Sequence, residues 1–178
     1  SDRVLKAMNR SHTAESYLRL LERFRAARPD LALSGDFIVG FPGETEEHFE
    51  HMLSFTKEYA FDHLGVFVYS DEEGTTAFDL PDRVDKEIAE QRRDALMETQ
   101  RNLISKQNKE KIGTVSPVLV EGMDDCLLTG RLPTQGPDID GQVIIEDSEI
   151  EPGMIVPMRI TGVLDYDFVA TAVENTSL

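Results

Sequence analysis

The period of the hydrophobic pattern changes once along this 178-residue chain, near Gly113, and no other feature limits the possible folds as much. Before Gly113, segments with apolar residues at helical spacing alternate with short apolar runs. After it only short β-like runs remain, separated by turn signals such as Asp140-Gly141 and Pro152-Gly153. We therefore predict two domains, residues 1–112 and 113–178.

The first domain has the pattern of an α/β fold. Three segments predict amphipathic helices, and the last of them is about 28 residues long: TAESYLRLLERFRAARP, TEEHFEHMLSFTKEY and residues 85–112. Two short runs between them, DFIVGF and FDHLGVFVYS, predict buried strands. This succession calls for parallel strands covered by helices.

The second domain has the pattern of an all-β fold. Its five β-like runs are VSPVLVEG, CLLTGRL, GQVIIED, MIVPMRITGV and DYDFVATAV. Five short strands in so few residues predict a small antiparallel barrel of the OB type.

Charge is unevenly distributed between the two domains. The whole chain has a formal charge of −16, and residues 113–178 have only Arg131 and Arg159 against 12 acidic residues. Such a field repels phosphate backbones and attracts basic partners, although it can also serve solubility alone. We find no apolar run long enough to span a bilayer and no secretory signal, so we expect a cytoplasmic protein with no membrane partner.

The stretch SGDFIVGFPGETEEHFE, residues 34–50, combines features of a binding site. Ligands of parallel α/β sheets lie at the carboxyl ends of the strands, where the first strand delivers a Pro42-Gly43 turn suited to type II geometry. Asp36 could accept hydrogen bonds from vicinal hydroxyls, and Ile38, on the same face, could pack on a base. Gly40 removes a side chain where a flat ligand could approach the backbone. A plain core strand before a well-capped helix explains most of the same stretch.

A phosphate-binding loop is excluded for this turn. No Gly-Lys-Ser/Thr follows it, and the helix that it opens begins with Glu44, Glu46 and Glu47. We expect these acidic side chains to satisfy the helix dipole and oppose an anion.

Four segments together resemble one known family. MNRSHT at 8–13, DFIVGFPGETEEHF at 36–49 and VFVYSDEEGTTAF at 66–78 are similar to the second half of a partial TIM-like radical S-adenosylmethionine barrel of the methylthiotransferase family. VEGMDDCLLTGRLPTQGPDIDGQVIIED resembles the TRAM domain at the C-terminus of that family.

The resemblance implies a set of cofactor-binding residues. Arg10 matches the arginine that meets the carboxylate of S-adenosylmethionine, a pairing that suits a planar guanidinium. Asp36 matches the ribose ligand and Ile38 the residue against adenine, with Gly40 beside them. Tyr69 and Ser70 match backbone contacts to the adenine edge.

The resemblance also implies two [4Fe-4S] clusters, one held by a CxxxCxxC motif in the barrel and one by three cysteines in an N-terminal domain. This chain has one cysteine, Cys126. We therefore expect a fragment that ligates no cluster, contains no catalytic residue and no metal ligand, and is inactive alone, while its parent protein is the radical enzyme.

Two branches of the family have different substrates, an adenosine in tRNA and an aspartate in the small-subunit ribosomal protein S twelve. Asp71, Glu72 and Glu73 stand in a segment where the tRNA branch usually has an arginine, and PDIDG resembles the ribosomal-protein branch. The C-terminal domain also lacks the basic groove and stacking aromatics of RNA-binding barrels. We expect the very basic ribosomal protein as the partner of an acidic docking domain, with tRNA as the alternative, and a non-catalytic binding fragment as a second.

Other residues are weaker candidates for a functional role. His48 and His51 have a spacing that could bind a metal, but an exposed charged helix face is the better interpretation. A lone thiol such as Cys126 is expected to be inert. Arg92, Arg93 and Arg101 on the long helix are expected to lie on a solvated linker between the domains.

Overall fold

The structure, a computed structural model, describes residues 1–59, 61–124, 126–137, 140–146 and 150–173. Packing divides the chain into two compact units, Ser1–Asn102 and Leu103–Leu178. Among the described residues, no helix has the length and apolar character needed to cross a membrane.

The first unit contains four helices and two strands among its described residues. In chain order they are α1 (Asp2–Ala7), α2 (Ala14–Ala27), β1 (Ser34–Val39), α3 (Glu46–Tyr59), β2 (His63–Val68) and α4 (Lys86–Glu110), whose last residues belong to the second unit. The three predicted helices and two predicted strands are confirmed, and α1 is an addition that the pattern did not predict.

The two strands run parallel, as predicted, with Asp36 opposite Gly65 and Ile38 opposite Phe67. Alternation along each strand sends one set of side chains into an apolar core. That core contains Leu21, Leu33, Val39, Phe49, Phe61, Leu64, Val66 and Leu96, so α2, α3 and α4 all cover the same face of the sheet. The other face contains Asp36 and Ile38.

The second unit is built from five strands: β3 (Val115–Asp124), β4 (Leu127–Arg131), β5 (Val143–Ile145), β6 (Ile155–Leu164) and β7 (Asp167–Ala172). Each lies within one of the five predicted runs, apart from the end of β3 and of β6. They close into a barrel of order β3-β4-β5-β7-β6 around a core that includes Val118, Val143, Met158 and Phe168.

The prediction of an all-antiparallel barrel is wrong at one pairing. Strands β5 and β7 run parallel, with Val143 opposite Phe168, while the other four pairings are antiparallel. In a ring of five strands, directions cannot alternate all the way round, so closure forces at least one parallel pair. The hydrophobic pattern predicts the strands but contains no information on this constraint.

Candidate functional site

The candidate site is built on the turn that follows β1. The N–H of Glu44 donates to the carbonyl of Phe41 at 2.9 Å, and Gly43 has φ +82°, which confirms the predicted type II turn with Pro42 at its second position. The N–H of Tyr69 donates to the carbonyl of Val39 at 2.8 Å, so the ends of the two strands stay side by side. The turn therefore lies at the common carboxyl edge of the sheet.

Gly40 is required by packing as well as by backbone conformation. Its φ is +77°, and a Cβ placed there would lie 2.5 Å from the Cβ of Ala89 on α4. The glycine thus lets α4 press against the carboxyl end of β1. The close approach of α4 to the end of β1 is therefore one reason for a glycine at residue 40, in addition to the approach of a ligand that the sequence predicts.

Asp36 and Ile38 lie on the face of the sheet away from the core. Asp36 is exposed and Ile38 is half-buried, and across the strand pair Phe67 is 57% exposed. Gly65 lies opposite Asp36, and a Cβ there would lie 2.6 Å from the Asp36 Oδ1 atom. Because residue 65 has no side chain, the Asp36 carboxylate can lie on this face of the sheet without a clash.

A cavity of about 470 Å³ opens at the carboxyl edge. Its walls come from the turn after β1, the end of β2, the segment after β2 and the start of α4: Gly40, Pro42, Val68, Tyr69, Ser70, Asp71, Arg83, Val84, Lys86 and Ala89. Three of the residues predicted from sequence, Gly40, Tyr69 and Ser70, are thereby brought together.

Tyr69 packs edge-on against Phe41, with ring centroids 5.0 Å apart. Its hydroxyl is buried, close to the carboxylate of Asp71. Burial, followed by the negative charge of Asp71, raises the pKa of Tyr69. The phenol therefore stays protonated to higher pH than a free tyrosine, and it can donate a hydrogen bond at the cavity wall.

The far wall of the cavity is held by Arg83. Its guanidinium pairs with the carboxylate of Asp71 and bonds the carbonyl of Phe78, whose ring lies 5.4 Å from the guanidinium carbon. The carbonyl of Asp82 accepts the N–H of Gly43 at 2.9 Å. The segment after β2 is thus tied both to itself and to the turn after β1.

Arg10 lies in the short segment between α1 and α2, with an exposed side chain and its N–H bonded to the carbonyl of Leu5 at 2.8 Å. Helix α1 reaches the same edge of the sheet, because the Nη2 atom of Arg3 lies 3.7 Å from the position of a Cβ on Gly43. The structure brings the α1 segment toward the turn, but Arg10 is not among the residues that line the cavity.

The expectations for Glu44 and Arg92 are both corrected. Helix α3 begins at Glu46, and the Glu44 side chain turns inward and is 1% exposed. Its Oε1 accepts the N–H of Gly40 at 3.1 Å and pairs with Arg92 Nη1 at 2.8 Å. Arg92 therefore lies in the interior, not on a solvated linker, because the buried carboxylate requires a charged partner.

The two histidines of α3 have ordinary roles. His48 caps the helix: its Nδ1 accepts the N–H of Thr45 at 3.2 Å, and its own N–H donates to Thr45 Oγ1 at 3.3 Å. His51 is exposed. In the described ranges no group of three or more His, Cys, Asp or Glu side chains could hold a metal ion. Cys126 is exposed, with φ +67°.

Sequence reasoning missed Gly65, Phe67 and the Glu44–Arg92 pair. Gly65 and Phe67 belong to a strand that reads as wholly buried, and only its pairing with β1 shows which residues face away from the core. A sequence signal existed for Gly65, since a glycine inside a strand often marks a close approach. No local signal distinguishes Glu44 from its exposed neighbours.

Two families match parts of the chain. Residues 1–56 match the Radical SAM superfamily, and residues 112–173 match the TRAM domain. Asp138 and Ile139 of the PDIDG motif lie outside the described residues.

Curated relatives match over nearly the whole chain. The ribosomal protein uS12 methylthiotransferase RimO of Syntrophotalea carbinolica is 44% identical across 98% of this chain, and those of Myxococcus xanthus and Geobacter sulfurreducens are 45% identical, each across 98%. The chain spans 39%, 37% and 40% of the length of these three relatives, respectively.

Proposed function

We propose a function from the premise that this chain belongs to the radical S-adenosylmethionine methylthiotransferases that carry a TRAM domain. On that premise it forms part of an enzyme that methylthiolates the β-carbon of an aspartate in ribosomal protein uS12. The observation that carries the proposal is the identity of about 44% over 98% of the chain to relatives named as uS12 methylthiotransferases, together with matches to a radical SAM model and, after it in the chain, a TRAM model. We assign residues 1–112 to the second half of the radical enzyme's barrel and 113–178 to its TRAM domain.

The face of the sheet away from the core, together with the carboxyl edge, fits the adenosine part of S-adenosylmethionine. An exposed carboxylate at Asp36 suits ribose hydroxyls, Ile38 and Phe67 offer apolar surface for a base, and backbone at Tyr69 and Ser70 can meet its edge. Arg10 would meet the carboxylate of the amino acid part. When bound to a reduced iron–sulfur cluster, S-adenosylmethionine supplies the radical that abstracts hydrogen from the substrate.

Residues of this chain would bind and orient S-adenosylmethionine, and would not ligate iron. Its single cysteine, Cys126, cannot provide the three thiolates of a [4Fe-4S] cluster. Two such clusters are proposed for the parent protein, on residues outside this chain. An enzyme that modifies a ribosomal protein is proposed to work in the cytoplasm, where its substrate is made.

A titration of this chain with S-adenosylhomocysteine, followed by NMR, tests the adenosine site. We expect shifts at the amides of residues 36–40 and 65–70. Asp36→Asn and Gly65→Ala, which crowds the Asp36 carboxylate, should each weaken binding by about tenfold, because a charged hydrogen-bond acceptor is lost or displaced.

Gly35→Ala is the matched control for Gly65→Ala. A Cβ on Gly35 would lie 3.1 Å from the Phe61 ring, so it tightens the core face and leaves Asp36 untouched. Weakening by the control equal to that by Gly65→Ala would contradict the assignment of Asp36.

The acidic C-terminal segment, residues 113–178, is proposed as the docking surface for uS12. Both basic residues of 113–178 are engaged within it: Arg131 pairs with Glu121 at 2.7 Å, and Arg159 donates to the Gly113 carbonyl at 2.8 Å. With 2 arginines against 12 acidic residues, this segment favours a basic protein over RNA as its partner.

Binding of the whole chain to purified uS12 and to a tRNA anticodon stem-loop, each at two salt concentrations, tests this docking role. Binding to uS12 that weakens as salt rises supports it. Binding to the RNA alone would contradict the choice of substrate and favour the tRNA branch.

A further inference from the structure

The turn at Gly40 is held from behind by a buried ion pair that reaches across the unit. Glu44 Oε1 accepts the Gly40 N–H at 3.1 Å and pairs with Arg92 Nη1 at 2.8 Å. Arg92 extends a second nitrogen, Nη2, to Glu46 at 2.8 Å. One guanidinium thus joins the turn after β1 and the first residue of α3 to the second turn of α4.

The same residues fix one wall of the cavity. Gly40 and Ala89 both line it, and a Cβ on Gly40 would lie 2.5 Å from that of Ala89. Arg92 lies three residues after Ala89, on the same face of α4. Glu44 and Arg92 are not among the lining residues, so any effect they have on a ligand must pass through Gly40 and Ala89.

We propose that Glu44 and Arg92 are positioning residues, a clamp that sets the distance between the Gly40 turn and α4 and so the shape of the cavity. The two side chains of the clamp are charged, although an apolar pair would also fill the space between the Gly40 turn and α4. One carboxylate oxygen of Glu44 accepts from the Gly40 N–H and from the guanidinium, and the planar fork of Arg92 reaches two carboxylates at once.

Because this ion pair is buried, its main effect is expected to be on the position of the Gly40 turn and not on the free energy of unfolding. Desolvation offsets much of the attraction between buried charges, and replacing both with apolar side chains is often neutral for the free energy of unfolding. Loss of the Gly40 N–H partner, in contrast, releases the turn whatever replaces the charges. The two effects can therefore be separated by experiment.

Three variants of the 178-residue chain make the test. Glu44→Leu removes the acceptor for the Gly40 N–H and leaves Arg92 paired with Glu46. Glu44→Leu/Arg92→Met removes both charges and the acceptor for Gly40. Gln100→Leu is the matched control. It deletes another buried hydrogen bond made by a side chain of α4, from Gln100 Nε2 to the Phe61 carbonyl at 2.7 Å, and this hydrogen bond lies away from the Gly40 turn.

Amide hydrogen exchange is the first measurement, and it does not depend on the proposed function. We expect the Gly40 N–H to exchange at least about tenfold faster in the double variant, whose denaturation midpoint stays near that of the wild type. The control should leave Gly40 exchange unchanged. Unchanged exchange at Gly40 in the double variant would overturn the clamp. If that variant does not fold, Glu44→Leu is compared with the control at equal unfolding free energy, and the same two outcomes apply.

Affinity for S-adenosylhomocysteine is the second measurement, and here the inference rests on the proposed function. The double variant should bind at least about tenfold more weakly than the wild type, and the control should bind equally well. A loss no larger than that of the control would overturn the positioning role. If the wild type itself does not bind, the proposed adenosine site fails, and faster Gly40 exchange would still support the clamp.

Discussion

Gly40 combines two constraints at one residue, a φ of +77° and contact with Ala89. We predict that Gly40→Ala lowers the free energy of unfolding by about 3 kcal/mol, from left-handed backbone strain and overpacking together. Gly74→Ala is the matched control, since Gly74 has φ +82° and nothing within 4 Å of its Cβ position. It should cost about 1–2 kcal/mol, from strain alone. Urea denaturation measures both.

The contact with Ala89 can be isolated by a double variant. Ala89→Gly should cost less stability in the Gly40→Ala background than in the wild type, because the 2.5 Å contact is relieved. Equal costs in the two backgrounds would mean that the loss in Gly40→Ala arises from the backbone alone and that α4 does not press on the turn.

Tyr69 makes a prediction for high pH. Its pKa is raised by burial and by Asp71, so between the unfolded-state pKa of about 10 and the folded-state value the unfolded chain binds fewer protons. Tyr69 therefore contributes stability that is present below about pH 10 and is lost as pH rises through the folded pKa.

Ultraviolet titration and denaturation check this behaviour. Tyr69→Phe should remove one phenol that ionises above about pH 10 and should reduce the loss of stability in that range. Tyr17 and Tyr59 also have raised pKa values, so the difference between the two proteins is the informative quantity. If the phenol that the substitution removes ionises below pH 10 in the wild-type titration, the burial of Tyr69 is contradicted.

At the scale of elements, the hydrophobic period was sufficient to predict the three long helices and the seven strands, because apolar side chains must face a core in each. It was not sufficient for orientation. Glu44 looks like its exposed neighbours Glu46 and Glu47, yet only contact with Arg92, 48 residues away, turns it inward. The parallel β5–β7 pair likewise follows from ring closure and not from any local pattern.

The start of α3 separates a capping role from a metal role for its histidines. His48→Ala should lower the free energy of unfolding by about 1 kcal/mol, because the Thr45 and His48 backbone and side chains satisfy each other. His51→Ala, at an exposed site three residues further on, should leave it within about 0.5 kcal/mol. Equal losses for both, or zinc-dependent stability in the wild type, would favour a shared metal site.

At the scale of the whole molecule, two units each have a core of their own, and the densest negative charge lies in residues 113–178, with 2 basic against 12 acidic residues. The sequence predicts this division because the hydrophobic period changes near Gly113. Packing divides the chain earlier, after Asn102, since the last turns of α4 contact the second unit. A continuous helical pattern gives no signal for that change of partner.

The most direct measurement of the proposed function is a chimera. The matched segment of the Geobacter sulfurreducens relative, 45% identical to this chain, is replaced by this chain, and the purified protein with its clusters is incubated with uS12 and S-adenosylmethionine. We predict that mass spectrometry finds one methylthio group in place of a hydrogen on a uS12 aspartate, and that Asp36→Asn in the chimera abolishes or greatly slows this reaction. A folded, cluster-loaded chimera that leaves uS12 unmodified, while the unaltered relative modifies it, would contradict the account.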